Sequence, residues 1–484
     1  VKVRNPRESM KVRNPRTGQL DYAILPLDGA GLDAACARLR SAQPEWAART
    51  PEERGALLLK LANAIAAHAA PIADALTLDT GRRAISVLEV GGVPHLLRRW
   101  AGTAPTIIRE GTVLGRDSAT PGIAIDTHLV PYQLVGVISP WNFPLTLALI
   151  DAIPALAAGC AVLVKPSEVT PRFIRPLLAA IATVPEVAAV LALVEGDGAT
   201  GAALVERVDF VAFTGSVATG RKVAEGAARA FIPASLELGG KDPMIILASA
   251  HVPTAAKTAL RASIVNTGQA CQSIERVYVD RAIAEAFLAA LVAEAEAVRL
   301  NFPDITQGDI GPFIFARQAE IVDAQIKDAL AKGARLLTGG QVETLGGGLY
   351  LRPTVLTDVT PDMAVMAEET FGPVIPVTIF DTVDQAVALA NSGVFGLSGA
   401  VLAGTDGEAV AVARRLHCGA VSVNDGSLTA MVWDAEKSSF GLSGMGPSRM
   451  GDSGLLRFFR KQSQLRQMGT PLPMAAYAEE GVGT

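Results

Sequence analysis

The chain has 484 residues, half of them hydrophobic and 19% charged. That balance excludes a disordered polypeptide and allows two or three domains around large cores. A formal net charge of −5 at pH 7 offers no basic surface for nucleic acid or polyphosphate, so no nucleic-acid partner is expected. Cys36, Cys160, Cys271 and Cys418 lie far apart and the histidines are equally scattered, which argues against a metal site and for a reducing, cytoplasmic compartment.

Taken in chain order, Lys2-Val3-Arg4-Asn5-Pro6-Arg7 recurs as Lys11-Val12-Arg13-Asn14-Pro15-Arg16, and residues 1–9 read as an upstream extension with Met10 the expected start. Thr50-Pro51-Glu52-Glu53 predicts a capped helix whose apolar stripe is Leu57, Leu58, Leu61 and Ile65. Leu145–Val164 is long and apolar, but Asp151, Pro154 and Gly159 interrupt it; a buried helix feeding a buried strand is expected, and no membrane span. Val135–Ser139, Ala161–Lys165, Val190–Val194 and Asp209–Phe213 each read as a strand before a helix, the pattern of a parallel sheet covered on both faces. A second α/β unit is predicted from Met244–Leu247 through Arg276–Val279, helix Ile283–Arg299, and strands near Ala334–Leu337 and Val374–Ile379. His128–Gln133 and Lys461–Gln467 are strand-like and fall outside both units.

Three segments compete for a phosphate or ribose. Gly196-Asp197-Gly198-Ala199-Thr200-Gly201 matches a dinucleotide fingerprint, but Arg221 and Lys222 stand where an acid is expected downstream. Phe213-Thr214-Gly215-Ser216 also opens a helix, and Lys165-Pro166-Ser167-Glu168 ends a strand with a lysine and a carboxylate suited to ribose hydroxyls. Cys271 follows Asn266-Thr267-Gly268-Gln269-Ala270, downstream of Leu236-Glu237-Leu238-Gly239-Gly240. A lone free cysteine is weak evidence; a thiol with a carboxylate in reserve suggests a nucleophile and a base that later activates water.

Read together, Ser139-Pro140-Trp141-Asn142-Phe143-Pro144, Lys165-Pro166-Ser167-Glu168, Phe213-Thr214-Gly215-Ser216, Leu236-Glu237-Leu238-Gly239-Gly240-Lys241, Gly268-Gln269-Ala270-Cys271 with Arg276, and Glu369-Thr370-Phe371-Gly372-Pro373-Val374 resemble the aldehyde dehydrogenase superfamily from about residue 20 to residue 470. The resemblance implies that Cys271 is the nucleophile, Glu237 the general base and Asn142 an oxyanion donor. It implies that Lys165 and Glu168 hold the adenosine ribose, Ser216 a phosphate and Glu369 the nicotinamide ribose. Ser139, Trp141, Ser167, Gly198, Gly215, Leu238 and Phe371 complete the implied NAD contacts, with NADP as the alternative coenzyme. It moves the phosphate turn to Gly215-Ser216 and leaves the Gly196 motif as a neighbouring helix entry.

The implied architecture is a Rossmann-like parallel-sheet cofactor domain (10–117 and 133–238), an α/β catalytic domain (239–443), oligomerisation strands (118–132 and 456–470) and a tail (471–484), in a homodimer or homotetramer. Phe143, Leu147 and Phe440 are expected to line an uncharged substrate tunnel, favouring apolar aldehydes; Arg449 is the cation whose position could reverse that preference. Alternatives are a semialdehyde dehydrogenase, a CoA-acylating enzyme, against which Glu237 argues, and a catalytically silent relative, against which Cys271, Glu237 and Asn142 together argue. Ser438–Gly446 departs from the family pattern at Leu442, which weakens inference about the substrate most.

Overall fold

The computed structural model describes residues 9–479, so nearly all of the expected extension at residues 1–9, and the tail beyond residue 479, lie outside the described residues. Thr50 caps helix Pro51–Ala67 with the reciprocal Thr50–Glu53 hydrogen bonds expected of a capping box, and Leu57, Leu58, Leu61 and Ile65 are buried. Long helix Arg83–Gly111 packs on it and directs Trp100 and Leu97 into the same core.

That core surrounds a six-stranded sheet ordered Gly444–Met445, Ala234–Glu237, Phe210–Thr214, Leu134–Ile138, Ala161–Lys165 and Leu191–Leu193. The four pairs that involve only strands before residue 238 are parallel, and the three central strands are buried at every position, which accounts for their unbroken apolar sequences. From Leu134–Ile138 the chain runs outward to one side, then returns to fill the other. Its carboxyl end is therefore a topological switch point, where open parallel sheets form a ligand crevice.

A seven-stranded sheet follows, ordered Arg335–Thr338, Thr354–Thr357, Val374–Phe380, Ile274–Asp280, Asp242–Ile246, Ser398–Leu402 and Ala420–Val423. Apolar clusters cover it on both faces. Strand Phe459–Gln467 pairs with Ile123–Pro131 along its whole length, in register from Phe459↔Pro131 to Gln467↔Ile123. Val113–Asp117, expected within the cofactor domain, is instead the third strand of this small sheet.

Leu145–Val164 also differs in detail. It forms two short helices, Pro144–Leu149 and Ala152–Ala158, before strand Ala161–Lys165. The break falls at Asp151, whose buried carboxylate turns to two arginines described below. Among the described residues no single helix is long and apolar enough to cross a membrane.

Candidate active site

Helix Val252–Ile264 ends in a turn with Asn266, Thr267 and Gly268 all left-handed, at φ 60°, 59° and 68°. Asparagine tolerates that region, whereas a β-branched threonine there is strained by about 1–3 kcal/mol. Thr267 Oγ1 donates to Gly311 O at 3.0 Å, which anchors the turn. Gly268 admits no side chain: a Cβ would stand 2.2 Å from Gly372 O. Gln269 is fully buried; its Oε1 accepts Ile314 N–H at 2.9 Å and its Nε2 donates to Asn266 O at 3.1 Å. These bonds fix the backbone on which Cys271 stands.

Asn142 follows the central strand of the six-stranded sheet. Its Nδ2 donates to Gln269 O at 3.0 Å, and its carbonyl accepts Arg82 at 2.6 Å and Asn266 Nδ2 at 3.1 Å. An amide carries two N–H groups, and this bond uses one of them. Arg82 faces Glu89 at 3.5 Å inside the protein; burial pushes Glu89 up to about 7 and Arg82 down to about 10. Glu89 in turn accepts Thr146 N–H at 3.1 Å, which ties the pair to the helix after Asn142.

Glu237 ends strand Ala234–Glu237, with its carbonyl bonded to Gly215 N–H at 3.1 Å. Its carboxylate accepts Ser439 Oγ–H at 3.3 Å. Leu238 N–H donates to Ser443 O at 2.9 Å, so the Ser438–Gly446 segment lies directly across this strand. Gly240 faces the Cys271 loop so closely that a Cβ would sit 2.6 Å from Cys271 O. The Glu237 and Cys271 segments are therefore in backbone contact.

Cys271 keeps part of its surface open to the crevice but is packed deeply enough that burial pushes its thiol up to about 12. Lys437 opposes that rise, while Glu369 and Asp242 add to it. At that value the thiol is neutral at pH 7.

Along the sheet edge, Ser139 Oγ is buried with no hydrogen-bond partner, which fits a site built for a polar ligand. Lys165 Nζ meets Glu168 Oε2 at 3.2 Å, and Ser167 Oγ accepts Val169 N–H at 3.2 Å. Ser216 caps helix Val217–Ala230, leaving amides of that first turn at the crevice mouth beside Gly215. Asp197, by contrast, already spends its carboxylate on Ala199 and Thr200 N–H, so the Gly196–Gly201 motif closes its own helix start; Gly198 faces open space. Trp141 meets the Phe371 ring edge-on at 5.5 Å between centroids. Glu369 accepts Gly240 N–H at 3.2 Å, and burial followed by nearby Glu275 pushes it up to about 8.

Phe143 and Leu147 are half-buried, with the Arg82 guanidinium 5.0 Å from the Phe143 ring centre. Phe440 is 47% exposed on a two-residue strand against Phe395-Gly396. Arg449 turns inward, to Asp151 at 2.8 Å and to Thr214 Oγ1. The sequence reading did not single out Arg82, Glu89, Gln269, Lys241, Glu275 or Lys437. Glu89 lies within helix Arg83–Gly111 and Arg82 just before it, and neither differs in sequence from the exposed charges around it; Gln269, a neutral amide within the motif itself, gave no signal.

The sequence model of the aldehyde dehydrogenase family matches residues 2–464. A Mycolicibacterium smegmatis protein named as a putative NADP(+) succinate-semialdehyde dehydrogenase is 36% identical over 94% of this chain and 88% of its own length. The solved structure titled Putative Aldehyde Dehydrogenase PutA, from Anabaena variabilis, is 51% identical, with a TM-score of 0.94 over 96% of this chain and 99% of its own. A betaine aldehyde dehydrogenase from Staphylococcus aureus, solved in complex with NAD+, is 30% identical, with a TM-score of 0.90 over 96% of this chain and 92% of its own. The match along nearly the whole chain makes this protein a member of the aldehyde dehydrogenase family, whose enzymes are NAD(P)-dependent oxidoreductases.

Proposed function

We propose that the protein oxidises an aldehyde to its carboxylic acid through a thioester on Cys271, which water then hydrolyses. The observation that carries this reading is the contact of three segments: Asn142 Nδ2 on Gln269 O at 3.0 Å, and Gly240 packed against the Cys271 carbonyl just beyond Glu237. Cys271 gives up its thiol proton to solvent as its sulfur adds to the aldehyde carbon, the carbonyl π pair moves onto oxygen, and the oxyanion is met by the second Asn142 side-chain N–H and the Cys271 backbone N–H. One such donor is worth about 3 kcal/mol. NAD(P), when bound, supplies the hydride acceptor. Ser139, Trp141, Lys165, Ser167, Glu168, Gly198, Gly215, Ser216, Leu238, Glu369 and Phe371 are the residues that would hold it. Glu237 then takes a proton from the water that attacks the thioester carbon, the C–S bond breaks, and the acid leaves.

The six-stranded unit (10–117 and 133–238, less Val113–Asp117) serves as the cofactor domain and 239–443 as the catalytic domain. The small sheet, Val113–Asp117 with the strands of 118–132 and 456–470, joins subunits of a homodimer or homotetramer in the cytoplasm. Phe143, Leu147 and Phe440 give the substrate an uncharged wall, and Arg449 is committed to Asp151 and Thr214, which supports an apolar aldehyde.

A second reading has its own support. Lys437 is buried, makes no ion pair among the described residues and is the foremost charge acting on Cys271, so it could receive the carboxylate of a semialdehyde. The relatives named for succinate semialdehyde agree with that chemistry. The deciding experiment follows NADH or NADPH formation with hexanal, benzaldehyde and succinic semialdehyde, with and without CoA. Highest kcat/KM on an apolar aldehyde without CoA supports the first reading. Highest kcat/KM on succinic semialdehyde, lost in Lys437→Met, supports the second, and a CoA requirement overturns both.

A further inference from the structure

Asp151 is buried, and guanidinium groups take both of its oxygens: Arg449 at Oδ2, 2.8 Å away, and Arg457 at Oδ1. Two cations on one carboxylate leave a positive charge inside the protein, and an interior charge is costly unless a further anion answers it. The remaining carboxylate that acts on both arginines is Glu237. The backbone brings them together: Arg449 also donates to Thr214 Oγ1, and Thr214 is the cross-strand partner of Glu237. Arg457 donates to Ser235 Oγ at 2.8 Å on the same strand as Glu237. Arg449 Nε is buried with no acceptor, while the only side-chain hydrogen bond of Glu237 among the described residues is the 3.3 Å contact with Ser439.

We propose that Arg449 is a positioning residue for Glu237: its buried, unpaired Nε–H, brought beside that strand by the bond to Thr214, offers the docking point that holds the carboxylate for the hydrolytic step. The inference rests on the reading of Glu237 as the hydrolytic base. The groups facing Arg449 are Asp151, Arg457, Glu237 and Cys271, and those facing Glu237 are Arg449 and Arg457, with Ser439 as its neutral partner. Deacylation needs that carboxylate held against the attacking water, whereas the steps that form the thioester do not, so loss of Arg449 slows the steady state and spares the burst. Burial opposes the charge of Arg449 itself, and Asp151 more than restores it, so the guanidinium stays positive throughout the working range.

The test is stopped-flow NADH formation followed into steady state, from pH 5 to 9, on the full-length enzyme. Arg449→Gln is expected to keep a burst of one NADH per site at the wild-type rate. Its steady-state kcat falls at least about tenfold. Arg449→Lys keeps a charged donor and is expected to keep the burst with a smaller fall in kcat. Glu237→Gln/Arg449→Gln is expected to be no slower than Glu237→Gln, because the arginine acts through the carboxylate. Equal losses in burst rate and kcat overturn the proposal. If Arg449→Gln does not fold, a wild-type kcat in folded Arg449→Lys, or equal losses there, overturns it instead. Normal turnover by Glu237→Gln would remove the reading of Glu237 as base. A stalled Glu237→Gln beside an Arg449→Gln of wild-type behaviour would remove the role of Arg449 alone.

Discussion

The ammonium of Lys241 and the carboxylate of Glu275 meet at 2.8 Å in an ion pair almost closed to solvent. Glu275 also accepts the N–H groups of Thr370 and Phe371, each at 2.8 Å, and Lys241 donates to Thr370 Oγ1 at 2.7 Å. One buried pair therefore joins the segment after Glu237, the strand after Cys271 and the loop that carries Glu369.

Replacing one partner leaves the other charged and unpaired. Glu275→Gln is expected to cost about 3–5 kcal/mol of stability, read as a lower urea midpoint. It should also raise KM for the coenzyme, because the Thr370-Phe371 backbone loses its anchor. An unchanged midpoint would show that the pair contributes little.

Cys271→Ala should abolish aldehyde oxidation while the protein still binds NAD, measured by calorimetry. The other cysteines are Cys36 and Cys160, both buried, and half-buried Cys418, whose thiol burial pushes up to about 12; none lies on the crevice residues described here. Substantial turnover by a folded Cys271→Ala protein would reassign the nucleophile.

Burial holds the Cys271 thiol at about 12, so the thiolate fraction of the free enzyme rises tenfold per pH unit throughout the accessible range. Iodoacetamide labelling of Cys271, followed by mass spectrometry, should be slow at pH 7 and climb without a plateau to pH 9.5. A plateau near pH 7 would mean that the thiol is activated before any ligand binds.

Glu237→Gln should give at most one NADH per site and then stall as a thioester, because nothing draws the proton from water. Intact-mass measurement should find the acyl group on Cys271. Normal steady-state turnover is the result that would refute this.

Glu168, held 3.2 Å from Lys165 at the end of its strand, should accept ribose hydroxyls and repel a 2′-phosphate. NAD is expected to give the higher kcat/KM, and Glu168→Gln to narrow its lead over NADP several-fold. A wild-type preference for NADP would contradict this, and the NADP(+) names of several relatives make the measurement worth doing first.

What could be read from sequence follows from how local the cause is. Buried parallel strands such as Ala161–Lys165 announce themselves as unbroken apolar runs, and the Thr50 cap is written within four residues. The Val113–Asp117 strand could not be placed that way, because all five residues are exposed and its partner lies beyond a turn. Supporting groups were harder still. Asp151 was visible as a charge breaking an apolar run, but its arginines come from the far end of the chain. Lys241 and Glu275 each look like ordinary strand-end charges until the fold buries them together.

Strand Gly444–Met445 is the last to join the six-stranded sheet, and Phe459–Gln467 closes the small sheet against Ile123–Pro131. During synthesis, both sheets begun in the first half of the chain therefore wait with an unpaired edge until nearly the whole polypeptide has emerged. Pairings this distant in sequence close slowly, and open edges invite association with other chains in the interval. Truncation after residue 443 would leave that exposure permanent. Recombinant yield should thus depend on temperature and chaperone supply during expression more than on the stability of the finished fold.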